Sequence, residues 1–275
     1  MARRLIVNAD DFGFTTGVND GIVEAHCSGI LTAATLMANG PAFEHAVESA
    51  RRHPALDVGC HLVLVGGKSV AEPGVDLSRT VGQLLRRLVD GSSRHWIERE
   101  LAAQVEKTLR SGLQPSHLDT HKHCHLAPPV LEAVCRISKR FSIPWVRRPF
   151  DLPLTGAAPL GTRMLNSGFR FLRGRFDRTL ARYQCRTTDY FAGFQWTGNF
   201  RAAELAGLIR RLPEGLTEFM CHPGRCTDEL RQAPTRLKES REQELQALTA
   251  PEVRRALEEC GIRLTTYREM QNGRT

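Results

Sequence analysis

Short apolar runs alternate with segments of helical period along the whole chain. Apolar or strand-like runs fall at 4–9, 32–37, 56–64, 116–120, 144–146, 216–220 and 262–265, with a weak one at 187–191. Between them, helix-period segments fall at 18–28, 41–52, 80–89, 96–111, 129–141, 200–211, 239–247 and 251–260. In the first of these, Val18, Ile22 and Ala25 have helical spacing and Gly29 suits a C-terminal cap. Residues 65–76 are rich in Gly and Pro and read as a long loop. Strand and helix in alternation imply parallel strands joined by right-handed crossovers. Seven or eight such units favour a closed or nearly closed (β/α) barrel over an open sheet. No repeat or low-complexity segment interrupts the pattern. The expectation is an α/β protein of one domain, residues 1–275, with a basic irregular or helical insertion around 151–200.

The polar residues sharpen this picture by where they fall. Asp10 and Asp11, His61, Asp119 and His121, Arg147 and Arg148, and His222 all stand at the C-terminal ends of expected strands. In a parallel barrel those ends surround one mouth, where active sites form.

The chemistry starts from Asn8-Ala9-Asp10-Asp11-Phe12-Gly13. Two adjacent carboxylates at the end of a buried strand are costly unless a cation divides them. One then binds a metal and the other acts as a base; the residues alone do not say which. His61 ends an apolar strand and gains weight from its company. That company is His117-Leu118-Asp119-Thr120-His121-Lys122-His123-Cys124-His125. Alternation puts His117, Asp119 and His121 on one face, and a helical turn would pair His121 with His125. As metal ligands, His121 ranks first, His125 second, then His123 and His117. Imidazole with carboxylate suits zinc, manganese, cobalt or, less typically, magnesium. His222 could protonate a leaving group opposite the base, and Arg148 could anchor a carboxylate in the mouth, Asp10 first.

Composition narrows the class. A hydrophobic fraction of 41% and a charged fraction of 25% are those of an ordinary globular protein. No apolar run is long enough to span a membrane, and Met1-Ala2-Arg3-Arg4 leads straight into a strand, so the expected location is cytoplasmic. The eight cysteines form no CxxC pair and read as reduced thiols. The net charge of +8 raises the question of nucleic acid, but no nucleic-acid motif is present and the strand-end histidines would go unexplained. The charge is concentrated at 170–186, where six arginines accompany one acid, Asp177. Interleaved Phe171, Leu172, Phe176, Leu180 and Tyr183 make this an amphipathic helix. It either packs on the barrel with a solvated basic face or rests on anionic lipid.

The chain resembles the YdjC-like carbohydrate deacetylases. The resemblance lies in Val7-Asn8-Ala9-Asp10-Asp11-Phe12-Gly13, Gly59-Cys60-His61-Leu62, the 117–125 histidine stretch and Met220-Cys221-His222-Pro223. It implies a deformed (β/α) barrel of the polysaccharide-deacetylase type. It also implies one divalent ion, magnesium or zinc with manganese or cobalt as alternatives, held by Asp11, His61 and His121. Asp10 becomes the base and His222 the acid. Lys122 and Cys124 interrupt the histidine cluster, so His125 joins Arg148 and Asp119 as a residue that contacts substrate or backs the site. Asp189-Tyr190-Phe191-Ala192-Gly193 and Thr197-Gly198-Asn199-Phe200 are similar to the hopanoid-biosynthesis-associated branch. That branch implies removal of the acetyl group from an N-acetylglucosaminyl hopanoid, with contact at the inner face of the membrane through 170–186. The alternatives are a soluble N-acetylated oligosaccharide such as a chitooligosaccharide, or a metal-dependent phosphatase on a similar barrel. A homo-oligomer is compatible with the sequence.

Overall fold

The computed structural model describes residues 2–89, 93–152 and 160–273, with the side chains of 93 and 160–170 outside the description. The elements are, in order, β1 (Arg3–Phe12), α1 (Thr16–Ser28), β2 (Ala33–Leu36), α2 (Phe43–Arg52), β3 (Asp57–Leu62), α3 (Val81–Val89) and α4 (Ser93–Arg110). There follow β4 (His117–Thr120), α5 (Pro128–Phe141), β5 (Trp145–Val146), α6 (Leu160–Arg182), β6 (Tyr190–Ala192), α7 (Ala202–Arg210) and β7 (Gly215–Cys221). The chain ends with α8 (Asp228–Gln232), α9 (Glu239–Thr249), α10 (Pro251–Glu259), β8 (Arg263–Leu264) and α11 (Tyr267–Gln271). Short 3₁₀ turns lie at His121–Leu126 and Phe194–Trp196.

The strands are parallel and run in the order β5-β4-β3-β2-β1-β7-β6, with β8 added to the start of β1. This is a ring in sequence order, opened between β5 and β6. Isolated parallel bridges, Trp145 with Arg186 and Asp151 with Phe191, draw the two edges together. The sheet therefore curls into an open half-barrel, the deformed (β/α) barrel that the family resemblance implies, and the alternation of strand and helix is parallel as expected.

Two large apolar clusters cover the outside of the barrel, one under α1, α2, α7, α9 and α10 and one under α4, α5 and α6. The inside is layered differently. Ile6, Ala33, Trp145, Leu216 and Tyr267 plug the bottom. Two residues further along the same strands the side chains become polar: Asn8 on β1, Thr35 on β2, Glu218 on β7 and Arg147 just past β5, all buried. The strand period of two thus carries one face from an apolar floor to a charged interior. Gly59 is required by this arrangement, since a Cβ there would come within 2.6 Å of the His117 ring.

The differences from expectation have local causes. α8 and α11 are single short helices, each started by a threonine cap, Thr227 and Thr266, and too short to show a period. The loop after β3 is fixed from outside the strand. Buried Glu100 on α4 accepts from the Ser69 hydroxyl and from the backbone of Val70 and Ala71. Of the basic insertion expected at 151–200, residues 153–159 lie outside the described residues, and 160–182 is the helix α6.

Candidate active site

Asp10 and Asp11 lie within β1, not beyond it, because β1 continues to Phe12. Between Ala9 and Phe12 the strand has one more residue than β2, which passes from Ala34 to Leu36. This is a β-bulge, and Asp11 takes a left-handed conformation with φ of 66°. Neighbouring residues in a regular strand face opposite sides. The bulge instead lets both carboxylates reach the interior, where they meet different partners.

Asp11 faces the mouth. Its Oδ1 lies 3.4 Å from His61 Nε2 and 3.2 Å from His121 Nδ1, and the two nitrogens are 3.2 Å apart. Its Oδ2 accepts from Arg241 Nη2 at 2.6 Å. Oδ1 is buried and has no hydrogen-bond partner among the described residues. Burial pushes the Asp11 carboxyl up, but the Arg241 guanidinium, with the His121 and His61 imidazoles close by, holds it well below the usual carboxylate range.

Behind this trio stands a charged layer. His61 Nδ1 bonds Asp119 Oδ1 at 2.7 Å, which leaves Nε2 directed at Asp11. Thr35 Oγ1 donates to Asp119 Oδ2 at 3.0 Å. Arg147, fully buried, reaches three carboxylates: both oxygens of Asp10 at 2.7 and 2.8 Å, Asp119 at 2.8 Å and Glu218 at 2.7 Å. Burial depresses the His61 imidazole, but Asp119, then Asp10, outweigh it and lift it to about 10. The site therefore attracts a positive charge at His61.

Asp11, His61 and His121 fit a divalent cation. Three donor atoms separated by 3.2–3.4 Å have the spacing of adjacent ligands on an ion with bonds of roughly 2 Å. Asp11 Oδ1, without a hydrogen-bond partner among the described residues, supplies a ligand atom. Charge agrees as well: among the described residues the buried carboxylates Asp10, Asp11, Asp119 and Glu218 meet two guanidiniums, Arg147 and Arg241, and with His61 unprotonated two negative charges are left for a divalent cation. A second grouping, Asp10, His61 and Asp119, is also close enough to ligate, but Arg147 already pairs with both of its carboxylates.

His222 follows β7, its Nε2 4.0 Å from Asp10 Oδ2 and its backbone N–H on Glu244 Oε2 at 2.5 Å. Burial pushes its imidazole down to about 3, so it is neutral at neutral pH. Asp10 moves the other way from Asp11: burial outweighs Arg147 and raises it. Adjacent carboxylates are thus divided into a firmly ionised one and a more basic one.

His125 and Arg148 stand apart from the cation ligands. The turn after β4 passes through left-handed Lys122 and His123, φ 55° and 49°, so no regular helical turn pairs His121 with His125. His125 is buried behind the site, bonding Thr120 Oγ1 at 2.6 Å and the Arg147 carbonyl at 3.1 Å. His117 lies deeper, on Asn8 Oδ1 at 3.0 Å, and His123 packs edge-on to Phe191 and Phe194. The anchor expected of Arg148 is made by its neighbour Arg147. Arg148 turns out of the barrel to Asp177 and the Asp189 carbonyl. Arg241, Glu218 and Glu244 were not among the expected site residues. Only Glu218 left a signal, as an acid inside the apolar run 216–220.

The barrel mouth thus gathers a bulged Asp-Asp pair and histidines from β3, the β4 turn and the end of β7, a set that includes a candidate group for holding a metal ion. Residues 4–259 match the model of the YdjC-like protein family, and the chain belongs to that family. It is 36% identical over 272 residues to a carbohydrate deacetylase of Geobacillus stearothermophilus, covering 98% of each chain. It is 33% identical over 271 residues to a carbohydrate deacetylase of Brevibacillus brevis, covering 97% of this chain and 99% of the relative. Among solved structures it resembles a protein of Enterococcus faecalis whose name proposes cellobiose-phosphate cleavage. That match has a TM-score of 0.73 at 24% identity, covering 98% of this chain and 99% of the other. A lactam utilization protein of Thermus thermophilus shares the fold at a TM-score of 0.53 and 14% identity, covering 95% of this chain and 98% of that one.

Proposed function

We propose that this protein is a hydrolase that removes the acetyl group from an N-acetylated amino sugar. The observation that carries the reading is the division of the Asp pair. Asp11 offers a free oxygen beside two imidazole nitrogens, while Asp10 is held on Arg147 next to His222. The YdjC-like family and two relatives named carbohydrate deacetylases support the same class.

In this reading Asp11, His61 and His121 hold one divalent cation. Such an ion supplies Lewis acidity, polarising an amide carbonyl and making a nearby water more acidic. Asp10 takes a proton from the attacking water as the C–O bond forms. His222, 4.0 Å from Asp10, is the acid that protonates the departing nitrogen as the C–N bond breaks, and the proton taken up by Asp10 balances the one it gives. The products are acetate and a free amine. Asp119 fixes the His61 ring, and Arg147 keeps Asp10 oriented.

The substrate reading we favour is a lipid-linked N-acetylglucosaminyl group, as in a hopanoid glycolipid. Its support is α6, where Phe171 is 91% exposed and shares a helix face with exposed Arg175 and Arg178, with Arg173 also exposed. Among the described residues no helix is long and apolar enough to cross a membrane, so lipid contact would be peripheral. A soluble chitooligosaccharide is the second substrate form. Mass spectrometry after incubation with an N-acetylglucosaminyl lipid in mixed micelles, and separately with chitobiose, tests both. Loss of one acetyl unit with release of acetate is expected; release of phosphate or of free sugar without acetate would overturn the reading.

A further inference from the structure

Helix α9 places two buried charges on one face. Arg241 and Glu244 are three residues apart and each is 1% exposed. Charges so deeply buried are costly unless they are bonded. Arg241 Nη2 donates to Asp11 Oδ2 at 2.6 Å. Glu244 accepts the His222 backbone N–H at 2.5 Å and the Gly198 N–H at 2.7 Å. Between these contacts the Arg241 carbonyl accepts from Gly224 N at 3.2 Å. One helix therefore ties the bulge of β1 to the chain that follows β7.

The manner of the Arg241 contact separates it from a packing ion pair. Arg147 takes both oxygens of Asp10 in a fork. Arg241 takes one oxygen of Asp11 and leaves the other buried, unpartnered and within 3.4 Å of His61 and His121. With Oδ2 tied, the carboxylate cannot rotate to offer it instead without breaking a buried ion pair.

We propose that Arg241 and Glu244 are positioning residues. Arg241 sets which oxygen Asp11 offers to the cation and how firmly, and Glu244 sets the place of His222 relative to Asp10. The inference rests on the cation-dependent deacetylase reading and extends it to two residues which that reading does not use.

The test is Co²⁺ titration of the chelator-stripped full chain, by competition with a chelator and by visible absorption, alongside kcat, KM and pH profiles for acetate release. Arg241→Met is expected to weaken Co²⁺ binding by about 10- to 100-fold and to alter the absorption spectrum. Arg241→Lys is expected to lose less. Glu244→Gln is expected to keep wild-type Co²⁺ affinity and spectrum while kcat falls, KM holds and the pH profile shifts. Thermal unfolding of the cation-free proteins identifies the folded variants, and Arg241→Lys carries the comparison if Arg241→Met does not fold. Wild-type affinity and spectrum in a folded Arg241 variant would overturn the proposal. Equal losses of Co²⁺ affinity in the Arg241 and Glu244 variants would overturn it in favour of a general packing role. If Co²⁺ binding depends on Arg241 as expected but the wild type releases acetate from no N-acetylated amino sugar, the activity reading falls and the positioning of Asp11 stands.

Discussion

Arg147 grips both oxygens of Asp10, at 2.7 and 2.8 Å, and the same guanidinium also meets Asp119 and Glu218. Three acids converge on one buried cation. Removing that cation strands three carboxylates in the barrel, so Arg147→Met is expected to lose about 3–5 kcal/mol of stability, or not to fold. Arg147→Lys keeps one charge but not the fork, so it should fold with reduced stability and lower kcat. Urea denaturation and acetate release on both variants check this. A stable, fully active Arg147→Met protein would contradict it.

The division of the Asp pair gives opposite outcomes for two adjacent substitutions. Asp11→Asn removes the anionic ligand beside His61 and His121 and is expected to abolish both cation binding and turnover. Asp10→Asn leaves the ligand trio intact; it should bind the cation as the wild type does and lose roughly 10²- to 10⁴-fold in kcat, the usual worth of a general base. Calorimetric titration with Zn²⁺, run beside the acetate assay, separates the two.

Much of this site was legible in the chain. Asp11, His61 and His121 combine a ligand-type side chain with a strand-end position, and a parallel barrel brings such positions together. Arg147 and Arg148 were both visible, but β5 has only two residues, Trp145–Val146, too few for alternation to tell which arginine faces inward. His125 looks like a ligand only if helical spacing from His121 holds; left-handed backbone at Lys122 and His123 breaks that spacing. The bulge at Asp10–Asp11 is a mismatch with β2, a relation between two strands that neither strand carries alone. Arg241 meets Asp11 across 230 residues, from a helix that nothing in its own sequence marks as part of the site.

Gly21 on α1 lies against the chain after His222. A Cβ at Gly21 would come within 2.4 Å of the Gly224 Cα, a backbone atom that cannot swing aside. Gly21→Ala is expected to push α1 and the 222–225 segment apart, at a cost of about 1–3 kcal/mol. Because that segment carries His222, kcat should fall while Zn²⁺ affinity holds. Denaturation midpoints, kcat and Zn²⁺ titration on the one variant check all three.

On α6, Phe176 and Leu180 pack inward while Phe171, Arg173, Arg175 and Arg178 face solvent. If that face meets anionic lipid, reversing Arg173, Arg175 and Arg178 to Glu should remove most binding to vesicles containing phosphatidylglycerol and leave turnover of soluble chitobiose unchanged. Binding of the wild type should weaken with added salt. Equal flotation of wild type and variant would reject the lipid reading without touching the site chemistry.

The last expectation concerns pH. Burial pushes His117 down to about 3 and His125 down to about 4, so both stay neutral in the folded protein well below the pH at which they charge in the unfolded chain. A depressed pKa contributes stability that is present above about 6.5 and lost as pH falls towards the folded value. Between pH 6.5 and 5 each histidine should remove about 2 kcal/mol. Glu244 acts in the opposite sense: burial lifts it to about 7, so its contribution grows as pH falls through that range. The total slope therefore mixes signs, and the informative quantity is a difference between proteins. His117→Gln keeps a polar group near Asn8 and Ser116 but cannot titrate. It should be less stable than the wild type at pH 7, and the gap should close by about 2 kcal/mol by pH 5. Urea denaturation of both proteins at the two pH values measures this, and a gap that does not narrow would show that His117 is not held neutral by its burial.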